Sequence, residues 1–404
     1  MKIRIEPGRA AGIVRVPPSK SMAHRLLLAA GLSAGESTVT NVALSEDVLA
    51  TIECLRALGA DCRVVGNAVF VRGVAPRNFP DGATLPCREC GSTLRFLIPI
   101  CLLSDKTIHL VGSKRLFERP LDAYADICRL RGLTFSRGAG EVSVKGPLNS
   151  GIYTLPGDVS SQYISGLLFA LPLLDGDSEI RLLQKAESRP YIDLTLAALA
   201  AFGVRASFRD EQTLLVPGGQ RYAPAAVTVE GDASGAAFFG ALASFGDDVT
   251  LTGLSPDSLQ GDRVFAPYLE EIKNGVPTLS LSDCPDLGPI LFAAAAWQNG
   301  AVFTDTRRLR LKECDRVACM AEELSKCGAV LDMEENRVTV RKSTLRPPAV
   351  PVSSHGDHRV AMAMAILLTR LGGEIEGCEA VRKSMPDFFR KLSQLHIGVK
   401  EDVT

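Results

Sequence analysis

A chain that repeats one architecture six times can fold only in ways that let six similar units share their cores, and this sequence carries such a repeat. Six amphipathic helices run into a Gly and then a strand: Leu58-Gly59-Ala60, Arg131-Gly132-Leu133, Phe202-Gly203-Val204, Asn274-Gly275-Val276, Cys327-Gly328-Ala329 and Ile397-Gly398-Val399. A Gly just past a helix is where a left-handed residue ends it. The intervals are about 70 residues, apart from one of about 53. Val317, Met320, Leu324 and Cys327 mark one face of the fifth such helix, and Ile192, Leu196, Leu199 and Phe202 that of the third.

The second recurring element is a polar loop opening onto an apolar helix. The loops are Ser19-Lys20-Ser21, Cys90-Gly91-Ser92-Thr93, Asp158-Val159-Ser160-Ser161-Gln162, Gly231-Asp232-Ala233-Ser234, Cys284-Pro285-Asp286 and His355-Gly356-Asp357-His358. The helices that follow, such as Leu94 to Leu103 and Val360 to Leu371, are apolar nearly all round and are expected to be buried. A strand follows each, and most units then add a hairpin. Cys62 to Val71 across Gly66-Asn67 is the clearest, and Val330 to Val340 across Glu335-Asn336 has the same form.

The unit is therefore strand, helix, strand, helix, hairpin, in an α/β fold. The fourth copy is short and lacks its hairpin. The sixth ends at Thr404 without a second hairpin strand, and Met1 to Ile5 is expected to supply it. The N-terminal domain, residues 17–228, is then an insertion of three repeats. The C-terminal domain, residues 1–16 plus 229–404, is built from both chain ends. Three units about a pseudo-threefold axis would place their apolar helices side by side with their N-termini at one end. Two such domains facing each other would aim six positive helix ends at one cleft, a field suited to a polyanion.

Side-chain charge adds to that field. Pro17 and Pro18 stop the strand Gly12 to Val16, Ser19 or Ser21 can cap the next helix, and Lys20 and Arg25 fall in or beside its first turn. That is the wrong end for a cation unless an anion sits there. Arg95, Arg119, Arg316, Arg359 and Lys383 lie in the other loops, and several such cations point to phosphate or carboxylate. Among them are Asp286, Glu313 and Asp315, either structural counter-ions or general bases; spacing leaves both open.

Composition closes other routes. The 404 residues carry 45 Lys and Arg against 46 Asp and Glu, so the formal net charge of -1 gives no general reason to bind nucleic acid or a membrane surface. Met1 to Glu6 reads as a strand with no apolar signal region and no Arg/Ser-rich transit composition, so no such segment is expected, and no apolar run reaches membrane length. Eleven scattered Cys fit buried free thiols in a reducing, cytoplasmic setting. Cys87-x-x-Cys90 has no second Cys/His pair nearby, and His355-x-x-His358 lacks a third ligand, so no metal site is expected. Gly231-Asp232-Ala233-Ser234-Gly235 is neither a Walker nor a Rossmann loop, and no Ser-His-Asp order is evident.

Taken together, the motifs resemble those of the enolpyruvylshikimate phosphate synthase family over essentially the whole chain. They are Pro18-Ser19-Lys20-Ser21 through Arg25, Glu89 through Arg95, Glu118-Arg119-Pro120, Ser160-Ser161-Gln162, Arg189 through Asp193, Glu230 through Ser234, Lys312 through Arg316, Asp357-His358-Arg359 and Lys383 through Asp387. Each is modest alone, but nine in order are specific. The resemblance implies two inverted (inside-out) α/β barrel domains with the site in the cleft. It implies transfer of the enolpyruvyl group of phosphoenolpyruvate to the 5-hydroxyl of shikimate 3-phosphate, with release of phosphate and no metal or organic cofactor. The implied protein is monomeric and a glyphosate target.

By the same resemblance, Ser21, Arg25, Ser160, Ser161, Gln162, Ser188, Tyr191, Asp286 and Lys312 would hold shikimate 3-phosphate. Lys20, Gly91, Arg119, Gln162, Arg316, Arg359 and Lys383 would hold phosphoenolpyruvate, with His358 adjacent. Asp286, Glu313 and Lys20 would be catalytic. Glu89, Ser92 and Arg308 depart from the family's commonest residues. UDP-N-acetylglucosamine enolpyruvyl transferase is the nearest rival. It carries Lys-Asn where this chain has Lys20-Ser21, and usually a Cys in the loop that here runs Lys114 to Pro120 without one. A non-catalytic anion- or RNA-binding protein on the same fold is the rival of another class. The balanced charge and the presence of Asp286 and Glu313 argue against it.

Overall fold

The computed structural model describes residues 1–158 and 160–402. The chain forms two compact units, one of residues 18–230 and one of residues 1–17 with 231–404. Among the described residues there are five four-stranded sheets and one two-stranded sheet. No helix among them is long and apolar enough to cross a membrane.

Each four-stranded sheet is a parallel pair extended by two antiparallel strands, which form a hairpin in four of the five. In unit 18–230, Thr84–Arg88 runs parallel to Ile108–Gly112, which pairs antiparallel with Glu141–Lys145 and through it with Thr134–Gly138. Ile152–Leu155, Ser178–Leu182, Thr213–Val216 and Ser207–Asp210 repeat the order. Burial alternates along strands such as Thr84–Arg88 and Glu141–Lys145, so one face of each sheet turns inward.

The inward faces meet helices buried almost all round. Gly91–Cys101 and Ser161–Ala170 pack together, with Phe96 and Phe169 rings 5.7 Å apart. Their separation is set by Gly166. A Cβ there would lie 2.3 Å from Tyr124 Oη and 2.6 Å from the Arg95 carbonyl oxygen. Tyr124 Oη donates to that carbonyl at 2.8 Å and to the Tyr163 carbonyl at 3.0 Å. Gly166→Ala will therefore cost about 1–3 kcal/mol by overpacking. Urea unfolding followed in unit 18–230 checks this, and an unchanged midpoint would show that the helices can part freely.

In the other unit the helices Ala233–Ser244, Gly288–Trp297 and His358–Leu371 fill the centre. The Phe292 and Phe303 rings pack tilted with centroids 4.9 Å apart, and Phe388 packs against Phe238 and Phe239. The N-terminal strand Lys2–Ile5 lies between Gly373–Glu376 and Val399–Asp402, antiparallel to both. It fills the second hairpin position that the sixth repeat lacks. The fourth repeat keeps only a parallel pair, Ala11–Arg15 with Asp248–Thr252.

That pair shows that each crossover strand stays within its own unit. Ala11–Arg15 precedes the helix Lys20–Gly31 in sequence but pairs with the fourth repeat. Ala226–Thr228 precedes the fourth repeat but pairs with Glu36–Thr40 of the first. Each crossover strand completes the unit that the chain is leaving. Pro17 and Pro18 suit this point, because their rings forbid the N–H donors a continuing strand would need.

The helix-ending glycines divide. Gly59, Gly132, Gly203 and Gly328 have φ of 101°, 66°, 77° and 89°. Gly275 instead has φ 179°, extended backbone that any residue adopts, so the expectation of a left-handed cap fails there. Gly398 is not the left-handed residue of its unit either. His396, with φ 66°, takes that role, and His396 N–H and Ile397 N–H donate to the carbonyls of Ser393 and Leu392. A Cβ on Gly398 would meet Glu6 Oε2 at 2.5 Å, so close approach accounts for that Gly.

Candidate functional site

In unit 18–230 the polar helix entrances converge side chain by side chain. Ser19 caps the helix Lys20–Gly31, its Oγ accepting from Met22 N–H at 3.3 Å. Lys20 Nζ lies 2.8 Å from Asp47 Oδ2. Asp47 sits in the first turn of Glu46–Ala57, where the helix dipole favours a carboxylate. One turn after Lys20, His24 Nδ1 lies 2.7 Å from Thr51 Oγ1, which lies 2.7 Å from Thr93 Oγ1. His24 Nε2 is 3.7 Å from Cys90 Sγ, and that sulfur accepts from Thr93 N–H as the cap of Gly91–Cys101.

Burial, with Lys20 and Arg25 nearby, pushes His24 well below its ordinary value, so the imidazole is neutral at pH 7. Burial, with Asp47 nearby, pushes the Cys90 thiol up to about 12. His24, Asp47 and Cys90 hold their donor atoms within 4.8 Å of one another. Each is already engaged, with Thr51, Lys20 and the Thr93 N–H respectively.

Arg25 is fully buried and held by its own chain. Nε donates to Thr195 Oγ1, Nη1 to the Ser21 carbonyl and Nη2 to the Tyr191 carbonyl, each at 2.8 Å. Its guanidinium lies 5.1 Å from the centre of the Phe96 ring. Burial pulls it down to about 10, still charged at neutral pH.

Gly91 opens its helix against Arg119, and a Cβ there would lie 2.6 Å from Arg119 Nη1. Ser160 caps Ser161–Ala170, with its Oγ accepting from Gln162 N–H at 3.3 Å. Gln162 Nε2 donates to Ser92 Oγ at 3.0 Å and its Oε1 accepts from Arg95 Nη1 at 2.9 Å. Arg95 also donates to the Pro120 carbonyl at 3.0 Å. It orients Gln162 and the Arg119 segment and is not a loose loop cation. Ser188 adopts φ 57°, rare for a side-chain-bearing residue, and its carbonyl accepts from Tyr191 N–H at 3.0 Å.

The second constellation lies wholly within residues 231–404. Arg316 is the first residue of the helix Arg316–Lys326 and is 1% exposed. Nε donates to Asp357 Oδ2 at 2.8 Å, Nη1 to Asp286 Oδ1 at 2.9 Å and Nη2 to Glu313 Oε2 at 2.8 Å. Burial opposes its charge, but Asp357, Glu313 and Asp286 outweigh that and hold its proton more tightly than usual. Asp286 also lies 2.7 Å from Arg359 Nη2 and 3.4 Å from Lys312 Nζ. Burial pushes the Lys312 ammonium down, with Asp286 acting against it. Lys383 Nζ donates to the Gly356 carbonyl at 2.7 Å, so it reaches the loop that carries His358 and Arg359.

Of the three carboxylates singled out in sequence, two join this cluster. Asp315 instead caps the helix, accepting from Val317 and Ala318 N–H at 3.1 and 3.0 Å and from Arg310 Nη1 at 3.2 Å. Cations at helix starts suggested bound anions; here the chain's own carboxylates neutralise Arg316 and Arg359. Arg308 donates to the Ser282 carbonyl at 2.6 Å, and Glu89 is exposed.

Three residues outside the expected substrate-binding and catalytic sets organise the two constellations. Asp47 fixes Lys20, Arg95 fixes Gln162, and Asp357, fully buried, ties Arg316 to the cap of His358–Leu371 by accepting from Arg359 N–H at 2.7 Å. The available signal was the acidic first turn after Ser45 and the acidic residue just before His358.

A profile of the family described as EPSP synthase (3-phosphoshikimate 1-carboxyvinyltransferase) matches residues 5–392. The 3-phosphoshikimate 1-carboxyvinyltransferase of Clostridium kluyveri is 37% identical over 415 residues, covering 97% of each chain. That of Clostridium beijerinckii is 39% identical over 422 residues, again with 97% of each covered. Among solved structures, EPSP synthase from Acinetobacter baumannii aligns with a TM-score of 0.77 at 24% identity, covering 99% of this chain and 100% of that one. The enolpyruvyl transferase NikO from Streptomyces tendae aligns with a TM-score of 0.79 at 15% identity, covering 99% and 98%. The structural likenesses establish the inside-out α/β fold, with helices within and sheets outside in each unit. The end-to-end sequence match establishes more: the chain belongs to the EPSP synthase (3-phosphoshikimate 1-carboxyvinyltransferase) family.

Proposed function

We propose that this enzyme transfers the enolpyruvyl group of phosphoenolpyruvate to the 5-hydroxyl of shikimate 3-phosphate and releases phosphate. The observation that carries this reading, beyond family membership, is Asp286 held among Arg316, Arg359 and Lys312. A base set among cations suits a reaction that moves protons beside phosphate and carboxylate groups.

Addition takes the proton from the 5-hydroxyl, forms its bond to carbon 2 of phosphoenolpyruvate and protonates carbon 3. Elimination removes a proton from the methyl group so formed while the carbon–oxygen bond to phosphate breaks. Asp286, Glu313 and Lys20 supply these proton transfers. Ser21, Arg25, Ser160, Ser161, Gln162, Ser188, Tyr191, Asp286 and Lys312 hold shikimate 3-phosphate. Lys20, Gly91, Arg119, Gln162, Arg316, Arg359 and Lys383 hold phosphoenolpyruvate. On binding, substrate anions take over cation contacts that Asp286 and Glu313 make now, which frees those carboxylates as bases. The chemistry calls for no metal or organic cofactor. We read the enzyme as a cytoplasmic monomer.

Phosphate release with phosphoenolpyruvate plus shikimate 3-phosphate tests the reading, with UDP-N-acetylglucosamine as the competing acceptor. Activity with the second alone would overturn it. Gly91→Ala pushes a methyl group into Arg119. Displacing one charge-assisted contact costs about 1.5–3 kcal/mol, so KM for phosphoenolpyruvate should rise at least about tenfold. KM for shikimate 3-phosphate should hardly move; an equal rise in both would place Gly91 elsewhere. With Gly91 in place, millimolar glyphosate is expected to inhibit, and undiminished turnover would refute that.

A further inference from the structure

The turn that leads into His358 and Arg359 is gripped by a side chain that has no part in the reaction. Glu323 lies two turns along the helix that Arg316 begins, and it is completely buried. Both of its oxygens are used. Oε2 accepts from Lys326 Nζ at 2.7 Å and from Ser353 N–H at 2.8 Å, and Oε1 lies 2.6 Å from His355 Nε2. Lys326 and the Ser353 N–H can only donate, so the carboxylate is the acceptor throughout and His355 presents Nε2–H to it. Exposed Glu322 is farther off, with Oε2 4.0 Å from the same nitrogen.

The gripped turn has an unusual backbone. His355 has φ 49° and Gly356 φ 70°, two left-handed residues in succession. His355 N–H donates to Ser353 Oγ and Gly356 N–H to Ser354 Oγ, each at 3.1 Å, and Asp357 N–H donates to the Ser354 carbonyl at 2.9 Å. A residue with a side chain persists in that region when its surroundings over-determine it. The Gly356 carbonyl accepts from Lys383 Nζ, and Asp357 accepts from Arg316 Nε. The turn is therefore tied to the Arg316 helix at two heights, by Asp357 at the helix start and by Glu323 two turns on. One tie would let the turn pivot; two fix its angle.

We propose that Glu323 and His355 are positioning residues for phosphoenolpyruvate: their hydrogen bond sets the turn 353–357 so that Arg359 and Lys383 stand in register with Arg316. The inference rests on the reaction proposed above, in which those three cations hold phosphoenolpyruvate. Neither Glu323 nor His355 is given a contact with substrate; both act through the turn. A site of several cations binds a small dianion well only when their spacing is fixed before it arrives, and small misplacements are costly.

Steady-state kinetics with phosphoenolpyruvate and shikimate 3-phosphate, together with amide hydrogen exchange over residues 353–359, test this on the full chain. His355→Asn keeps a residue that tolerates the left-handed turn but is too short to reach Glu323. It should raise KM for phosphoenolpyruvate about tenfold, the factor that one charge-assisted hydrogen bond corresponds to. KM for shikimate 3-phosphate and kcat should stay within about twofold. Exchange over 353–359 should quicken while the rest of unit 231–404 keeps its protection. His355→Gln, whose amide N–H can reach the place of Nε2, should restore both readouts. Glu322→Gln should change neither. An equal rise in both KM values, a Gln variant as impaired as the Asn one, an equal effect from Glu322→Gln, or unchanged exchange would each overturn the inference. A wild-type chain that releases no phosphate from this substrate pair would instead refute the reaction proposed above, and the exchange result would still decide whether Glu323 and His355 hold the turn.

Discussion

Arg316→Ala will lower the stability of unit 231–404 by about 3–5 kcal/mol, the cost of breaking a buried ion pair from one side. The guanidinium is the hub of three carboxylates, and Asp357 among them is completely buried. Asp286 keeps Arg359 and Lys312 as partners, and Glu313 keeps some solvent. Asp357 is left with the Arg359 N–H and the weak Cys314 thiol donor in place of a bidentate cation. A loss of that size should shift the urea midpoint of this unit down by about 1–2 M. Arg316→Met with Asp357→Asn should recover much of it, because the uncompensated charge is gone. An unchanged midpoint in the single variant would show that the network contributes nothing to stability.

Asp286→Asn will reduce kcat by about 10²–10⁴, the usual contribution of a positioned acid–base group. The amide keeps the size of the carboxylate, and its one oxygen can accept from either Arg316 Nη1 or Arg359 Nη2 but not both; Arg316 keeps Asp357 and Glu313, so the fold should hold. What disappears is the ability to take a proton. Binding of both substrates should change far less than turnover, which separates chemistry from positioning. A loss of less than about tenfold would remove Asp286 from the acid–base role and leave it as a counter-ion for Arg316 and Arg359.

The two experiments bear on one arrangement. The carboxylates that neutralise Arg316 and Arg359 are the groups the proposed chemistry needs as bases. An anionic substrate would compete for the same guanidinium groups. Stability in the absence of substrate and basicity in its presence then come from the same contacts.

Much of this was legible in the chain itself, because the relevant signals are local. A Gly two residues before a strand, a Ser or Asp opening an apolar run, and alternation along a strand each act over a few residues. They sufficed for the repeat, for the buried helices, and for Lys2–Ile5 completing the sixth sheet. They failed where a local device has more than one solution, as at Gly275 and at His396 in place of Gly398.

The six-unit plan and the charged loops can be read along the chain, since helix periodicity and capping depend on neighbours one turn away. What those charges meet depends on packing between distant segments. Lys20 and Asp47, Arg95 and Gln162, and Arg316 and Asp357 lie 27, 67 and 41 residues apart and are joined by helix packing. The placement of Ala11–Arg15 in the fourth repeat and of Ala226–Thr228 in the first is likewise invisible in either strand alone. Ion pairs depend on distance in space, which chain separation does not encode, so that Lys20, Arg316 and Arg359 each meet one of the chain's own carboxylates is seen only in the folded chain.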